Sequence, residues 1–356
     1  MNTMVRSRRA VLKAVGATLA IPGLSTSVPA VAAGYRTLAF SPPSAGPLRP
    51  SATFAGGGRS EAAAQQAPTV PTPVRPDLEG STMKMHSRPI PSSGEPLPVI
   101  GCGTYVGFDV EPGTAAYKEL PGVLKTLFDA GGSVIDSSPM YGRAETTVGE
   151  LLEHSPERDR AFVATKVWTS SRERGIEQMT QSMARLKTRP INLMQIHNLV
   201  DWRAHLVTLK QWKQEGRIRY LGVTHYTSSA YGQLEEVMRE HALDFVQINY
   251  SIDEREAEAR LLPLAADLGI AVIVNRPFGG GGLLGTLRKR PLPDWAAEIG
   301  CSSWAQALLK FVLGHPAVTC VIPGTGKAAH MLDNVAAGTG ELPDLAMRER
   351  MAAQWR

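Results

Sequence analysis

Asp136 ends a short apolar run, and Tyr141 follows five residues on, in a loop holding Ser137, Ser138, Pro139 and Gly142. Lys166 and His197 stand at the ends of the next two apolar runs. An acid at a strand tip and a tyrosine in the next loop can converge on one point above a parallel sheet. Carbonyl chemistry needs such a point: a proton donor of tuned pKa beside the oxygen that takes up charge. Each residue alone has a plainer reading. Asp136 would bond the loop backbone and Tyr141 would pack on it. Lys166 would be a surface lysine, and His197 a satisfied buried histidine. Four such groups at three successive strand ends favour chemistry.

The elements that must position them read as an alternation. Short runs rich in Val and Ile lie at 99–102, 133–136, 161–165, 191–196, 219–223, 245–249, 271–274 and 319–322. Their composition suits a sheet covered on both faces. Amphipathic stretches at 114–130, 145–152, 176–186, 203–215, 230–241, 256–268, 304–313 and 327–337 predict the helices between and after them. Eight strands alternating with helices over about 250 residues predict a closed (β/α)8 TIM barrel, an α/β fold in one domain. A doubly wound sheet would need a Gly-x-Gly-x-x-Gly turn, and Gly101-x-Gly103-x-x-x-Gly107 has the wrong spacing. The barrel spans 88–345, with 346–356 as a C-terminal tail. The stretch 278–298 is an insertion after the seventh strand. A turn at 88–95 starts the folded part.

Function in a barrel sits at the C-terminal strand ends. Those ends carry Gly103-Thr104-Tyr105, Asp136 with Tyr141, Lys166-Val167-Trp168, His197-Asn198 and Thr224-His225-Tyr226. They continue with Gln247-x-Asn249-Tyr250, Asn275-Arg276-Pro277-Phe278 and Pro323-Gly324-Thr325. Tyr105, Trp168 and Phe278 would line an apolar substrate pocket, while Trp202 fits that pocket and helix packing equally well. No His-x-His and no clustered carboxylates occur at strand ends, which argues against a metal-dependent hydrolase.

The first 97 residues differ from the rest. Ser7-Arg8-Arg9-Ala10-Val11-Leu12-Lys13, an apolar run from Ala14 to Leu24, and Ala30-Val31-Ala32 have the order of a twin-arginine export signal with its cleavage site. Residues 1–33 are therefore expected to direct export through the twin-arginine machinery to the periplasm or beyond. The run is too short, and too broken by Pro22, to span a membrane. Residues 34–87 are rich in Pro, Gly, Ala and Ser and are expected to form a disordered linker. Residues 1–97 hold 10 Lys+Arg against 4 Asp+Glu, and the remainder 28 against 29. The basic balance thus lies outside the barrel, which argues against a nucleic-acid-binding face. Three scattered cysteines, Cys102, Cys301 and Cys320, are too few for a disulfide framework.

Beyond this, the chain resembles the aldo/keto reductase family from about Pro89 to Ala337. The resemblance rests on the spacing in Asp136 to Gly142, on Ala164-Thr165-Lys166, on Gln195-Ile196-His197, on Leu221-Gly222-Val223-Thr224, and on Val321-Ile322-Pro323-Gly324-Thr325 followed by Asp333-Asn334. It implies a catalytic tetrad of Asp136, Tyr141, Lys166 and His197. Tyr141 would give its proton to a carbonyl oxygen as hydride arrives from a nicotinamide. Lys166 would lower the Tyr141 pKa. Asp136 would hold Lys166 charged, and His197 would steer the carbonyl. The resemblance also implies cofactor contacts at Gly103, Thr104, Thr224, His225, Gln247, Asn275, Arg276, Gly324, Thr325, Lys327, His330, Asp333 and Asn334, with Gln247 on the nicotinamide carboxamide.

Three departures stand out. Asn275 replaces an aromatic that usually stacks on the nicotinamide. His225 stands where Asn is frequent. Gly324 and His330 replace a Lys and an Arg that many members offer to the adenosine 2′-phosphate. Lys327 and Arg276 are the cations left to substitute. NADP(H) is the expected cofactor, with a weakened preference over NAD(H). Two functions follow: an exported NAD(P)H-dependent reductase acting on a small carbonyl substrate, or a cofactor-binding barrel with a regulatory role.

Overall fold

The computed structural model describes residues 84–355. The leader at 1–33 and the linker up to residue 83 lie outside the described residues. Met85, three residues before the expected boundary at 88, is buried.

The segment expected to be a turn is the turn of a hairpin. β1 (Ser87–Pro89) pairs antiparallel with β2 (Pro96–Pro98). Gly94, at φ +74°, makes the reversal that an L side chain would resist. Ile90 and Leu97 from this hairpin bury against Val134, Phe162, Leu193, Tyr220 and Phe245 and so plug the barrel floor.

The eight barrel strands follow as β3 (Cys102–Gly103), β4 (Val134–Asp136), β5 (Phe162–Val167), β6 (Ile191–His197), β7 (Ile218–Thr224), β8 (Phe245–Asn249), β9 (Ala271–Asn275) and β10 (Val318–Val321). Each pairs parallel with its sequence neighbour. Parallel bridges Ile100 to Val321 and Gly103 to Gly324 join the two ends. The eight expected strands therefore form, and they close into the expected barrel. A Cβ on Gly103 would stand 2.9 Å from the Ile322 carbonyl, so glycine is required where β3 meets β10.

Strand alternation divides the side chains. Phe162 and Ala164 of β5 join the inner core, while Val163 and Val167 pack outward. The outer core is filled by α1 (Ala115–Asp129), α2 (Ala144–Glu153), α3 (Arg172–Leu186), α4 (Trp202–Gln214), α5 (Tyr231–Glu240), α6 (Leu261–Leu268), α7 (Gly282–Leu287), α8 (Trp295–Glu298), α9 (Trp304–Leu313), α10 (Ala328–Ala336) and α11 (Leu345–Ala353). Helix starts follow from side-chain caps: Thr114, Ser171, Ser303 and Asp344 each accept a first-turn backbone N–H.

Three sequence expectations change. The stretch 256–268 is not one helix; a 3-10 turn, Glu256–Ala259, breaks from α6 at Arg260. Pro263 falls in the first turn of α6, where a missing N–H costs nothing. The insertion at 278–298 carries α7 and α8. The stretch from 346, read as a tail, lies inside α11, whose Arg348, Met351 and Ala352 are buried. Arg348 bonds the Tyr250 hydroxyl and, at 2.6 Å, Glu258 Oε1, which docks the helix on the barrel wall. Among the described residues no helix is long and apolar enough to cross a membrane.

Candidate active site

The carboxyl end of the barrel interior is lined by polar side chains that the floor lacks. Asp136 ends β4, Lys166 is the fifth residue of β5, and Gln195 and His197 are inward residues of β6. Lys166 Nζ donates to Asp136 Oδ1 at 2.5 Å and to the Ser137 carbonyl at 2.8 Å. Asp136 Oδ2 accepts from Gln195 Nε2 and Gln247 Nε2, both at 3.0 Å. Each charge of this buried pair is thus hydrogen-bonded beyond the pair itself, as burial of ions demands.

Tyr141 is brought over this pair by the β4–α2 loop. Its N–H donates to the Ser138 carbonyl at 3.0 Å, and its own carbonyl accepts the Ala144 N–H at 3.0 Å. Gly142 follows at φ +56°, where a Cβ would collide with the Asp109 carboxylate. Asp109 Oδ1 in turn accepts the Arg143 N–H at 2.8 Å. The Lys166 ammonium lies 5.0 Å from the Tyr141 ring centre. The His197 ring meets Tyr141 edge-on at 5.8 Å, and Tyr105 lies 5.0 Å from it on another side. The four residues expected to act together are therefore assembled at one point.

Their electrostatics differ from the simplest expectation in one respect. Burial raises the Tyr141 phenol above its ordinary value; Lys166 opposes this and Asp136 adds to it. Lys166 pulls the pKa down as expected, but the net shift is upward. Burial also acts against the Lys166 charge, yet Asp136 and then Tyr141 outweigh it and hold the ammonium above its usual range. His197 is pushed down to about 2 by burial and then by Lys166 and His225, so its ring is neutral. Ser138 Oγ lies 3.0 Å from His197 Nδ1 and accepts the Met140 N–H at 3.4 Å. The Ser138 hydroxyl can donate to Nδ1 or accept from it, so this contact holds the ring by Nδ1 and turns Nε2 toward the mouth.

A match to the aldo/keto reductase family model covers residues 99–352, nearly the whole barrel. The chain belongs to the aldo/keto reductase family. It is 27% identical over 261 residues to the aldo-keto reductase str7 of Strobilurus tenacellus, covering 62% of this chain and 77% of that protein. It is 29% identical over 208 residues to an NADH-specific methylglyoxal reductase of Escherichia coli (strain K12), covering 49% of this chain and 61% of that protein. A crystal structure of an aldo/keto reductase from Klebsiella pneumoniae in complex with NADP and acetate superposes with a TM-score of 0.61 at 25% identity, covering 73% of this chain and 93% of that one. This aldo/keto reductase is accordingly an oxidoreductase that reduces a carbonyl with NAD(P)H.

The remaining site residues fall into three groups. Thr224, Gln247 and Asn275 are connected: Gln247 Oε1 accepts from Thr224 Oγ1 at 3.2 Å and from Asn275 Nδ2 at 3.4 Å. Asn275 Nδ2 also donates to the His225 carbonyl at 3.1 Å. The His225 ring stacks on Tyr226 at 5.4 Å.

A second group lies where β10 meets β3. Gly324, Lys327 and His330 are exposed, and Thr325 Oγ1 accepts the Lys327 N–H at 3.1 Å. Lys327 makes no ion pair among the described residues, whereas Arg276 stands 3.6 Å from Glu254. Asp333 accepts from Ser303 Oγ at 2.8 Å and Gln306 Nε2 at 2.7 Å, and Asn334 is buried beside it in α10.

The third group holds residues placed otherwise than expected. Thr104 is fully buried, and its hydroxyl donates to the Asp136 carbonyl and Ser137 Oγ, both at 3.0 Å. It braces the wall instead of facing the mouth. Phe278, expected in the substrate pocket, is buried with the outer core. Trp202 packs among the helices, with His241 at 5.3 Å. Tyr105 and Trp168 are exposed at the mouth as expected, and Tyr226 and Met140 join them. The sequence assigns no role to Ser138 or Gln195, because hydroxyl and amide partners reveal themselves only through the groups they touch.

Proposed function

We propose that this aldo/keto reductase reduces an uncharged apolar aldehyde or ketone, with NADPH preferred and NADH accepted. The observation that carries the reading is the Tyr141 phenol, held beside the Lys166 ammonium and the neutral His197 ring at a mouth of exposed Tyr105, Trp168, Tyr226 and Met140. Aromatic and thioether walls suit an apolar substrate, and the Arg276 guanidinium over the Tyr226 ring is engaged by Glu254.

The residues fit a nicotinamide dinucleotide. Asn275 Oδ1 is buried and has no hydrogen-bond partner among the described residues, an acceptor left open at the strand ends. Gly103 and Gly324 bring two backbones close where β3 meets β10. Thr224, Gln247 and Asn275 would hold the nicotinamide end, and Lys327 with the start of α10 the adenosine end. When bound, the nicotinamide supplies the hydride. Tyr141 gives its proton to the carbonyl oxygen, and Lys166 stabilises the phenolate left behind. Asp136 keeps Lys166 charged and in place. His197 offers its Nε2 hydrogen to the same oxygen and so selects the productive pose. A barrel that merely bound cofactor would have no use for a buried ion pair beneath a half-buried phenol.

The test is NADPH oxidation with a panel of aryl and alkyl aldehydes, by the protein and by Tyr141→Phe. The substitution keeps ring packing and removes the proton donor, so turnover should fall by about a hundredfold or more. Near-normal turnover by the variant would sink the assignment, and tight NADPH binding without turnover by either protein would favour the binding role.

We also propose export by the twin-arginine route to the periplasm or beyond, on the strength of Arg8-Arg9 and the small-residue site at Ala30 to Ala32. That route carries folded proteins, so a tightly held cofactor could travel with the chain. Replacing both arginines by lysine should strand the precursor, since a receptor reads the pair and retained charge does not rescue it. Unchanged export would dismiss this route.

A further inference from the structure

Gln195 is a buried polar side chain that the four-residue mechanism does not use. Gln195 has no exposed surface and sits two residues before His197 on β6. Its Nε2 donates to Asp136 Oδ2 at 3.0 Å, and its Oε1 accepts from Gln247 Nε2 at 3.3 Å. Gln247 Nε2 donates to the same Asp136 oxygen at 3.0 Å. Residues on three alternate strands, β4, β6 and β8, thus close a ring of hydrogen bonds across the barrel.

The ring fixes which end of the Gln247 amide faces where. Its nitrogen turns toward Asp136 and Gln195. Its oxygen turns toward Thr224 and Asn275, at the strand ends. Reversing the amide would set its oxygen against the Asp136 carboxylate, with no hydrogen between them.

We propose that Gln195 is a positioning residue of the reduction: it ties the Asp136 carboxylate beneath Lys166 and Tyr141 to the Gln247 amide of the nicotinamide site. The inference rests on the carbonyl-reductase reading and deepens it. Glutamine suits the place because one end donates while the other accepts. Methionine can do neither well, and glutamate would set a second negative charge beside Asp136.

The link has an electrostatic consequence. Asp136 raises the Tyr141 phenol, and a hydrogen bond into that carboxylate weakens its field. The titratable groups facing the pair are Lys166 from β5, His197 from β6, Cys102 from β3 and Cys320 from β10. Tyr105 lies against Tyr141, and His225 acts on His197. Burial pushes both thiols up, that of Cys102 to about 12, and pushes His197 down, so these remain neutral. Asp136 and Lys166 therefore carry the charge that Tyr141 senses.

The experiment titrates Tyr141 in cofactor-free protein by phenolate absorbance, taken as the difference from Tyr141→Phe. It is done in the natural background and with Gln195→Met or Gln195→Glu. Gln195→Met should move the midpoint up by about half a pH unit, and Gln195→Glu should move it further up. A purely packing role would give no such order. In parallel, Gln195→Met should weaken NADPH binding about threefold to tenfold, and combining it with Gln247→Met should cost less than the sum. An unmoved midpoint in both variants, or additive losses in the double variant, would overturn the proposal. Gln195→Glu keeps the side-chain shape, so the titration still decides the point if Gln195→Met folds poorly. The titration needs no cofactor, so it separates this inference from the reading on which it rests.

Discussion

Ser138 Oγ sits 3.0 Å from His197 Nδ1, on the side of the ring away from the proton it would present to substrate. A loop serine thereby anchors a strand-end histidine by one ring nitrogen. Ser138→Ala should remove that anchor and leave the ring free to turn. We expect kcat/KM to fall by about fivefold to fiftyfold, the worth of one buried hydrogen bond, with NADPH affinity little changed. Steady-state kinetics with a parallel fluorescence titration separate the two. A fall confined to cofactor affinity would place Ser138 in the wrong role.

Lys166→Met removes the cation beside the phenol. Lys166 opposes the burial that already raises Tyr141, so its loss should drive the phenol higher still. The alkaline limb of the kcat/KM profile should move upward and the plateau should drop. The same change leaves Asp136 buried without its charge partner, which should cost about 3–5 kcal/mol in denaturant unfolding. A limb that stays in place would show that Lys166 does not tune Tyr141.

His197 makes stability depend on acid. Its folded pKa is depressed to about 2, while the unfolded chain takes the proton at the ordinary histidine value. Below that ordinary value the unfolded state binds more protons, so stability falls with falling pH and nothing is lost above neutrality. Between pH 7 and pH 5 this one group should remove about 2 kcal/mol. His225 and His315 are depressed as well and act in the same direction. The check is the loss of unfolding free energy over that range in the natural protein against His197→Gln. Equal losses in both would show that the ring is not held neutral.

Cofactor preference should turn on Lys327. Gly324 and His330 bring no fixed charge to the β10–α10 turn, Arg276 faces Glu254, and Lys327 stands exposed at the start of α10. NADPH should bind more tightly than NADH by about 1–3 kcal/mol. Lys327→Ala should shrink that margin, and Gly324→Lys with His330→Arg should widen it. Dissociation constants for both cofactors at two salt concentrations decide the matter. Tighter binding of NADH by the natural protein would refute the preference.

The barrel was legible because each strand carries its own signal. Val- and Ile-rich runs at β4, β5, β6, β8 and β9 are buried on both faces, and that composition survives without knowledge of any partner. The grouping of the four candidate site residues was legible for a related reason. Strand ends in a closed parallel barrel converge by construction, so Asp136, Lys166 and His197 at successive strand ends must meet. What the sequence left open depends on side chains distant along the chain. Ser138 and Gln195 bear ordinary groups, and only their contacts with His197, Asp136 and Gln247 give them roles. Phe278 reads as a mouth residue from its place after β9, but the backbone there turns it into the outer core. The final helix, α11, has little amphipathic pattern of its own, and it is Arg348 meeting Tyr250 and Glu258 that docks it. The net direction of the Tyr141 shift likewise needed the fold. The sequence supplies the opposing charges, but burial tips their balance, and burial is a property of the packed barrel alone.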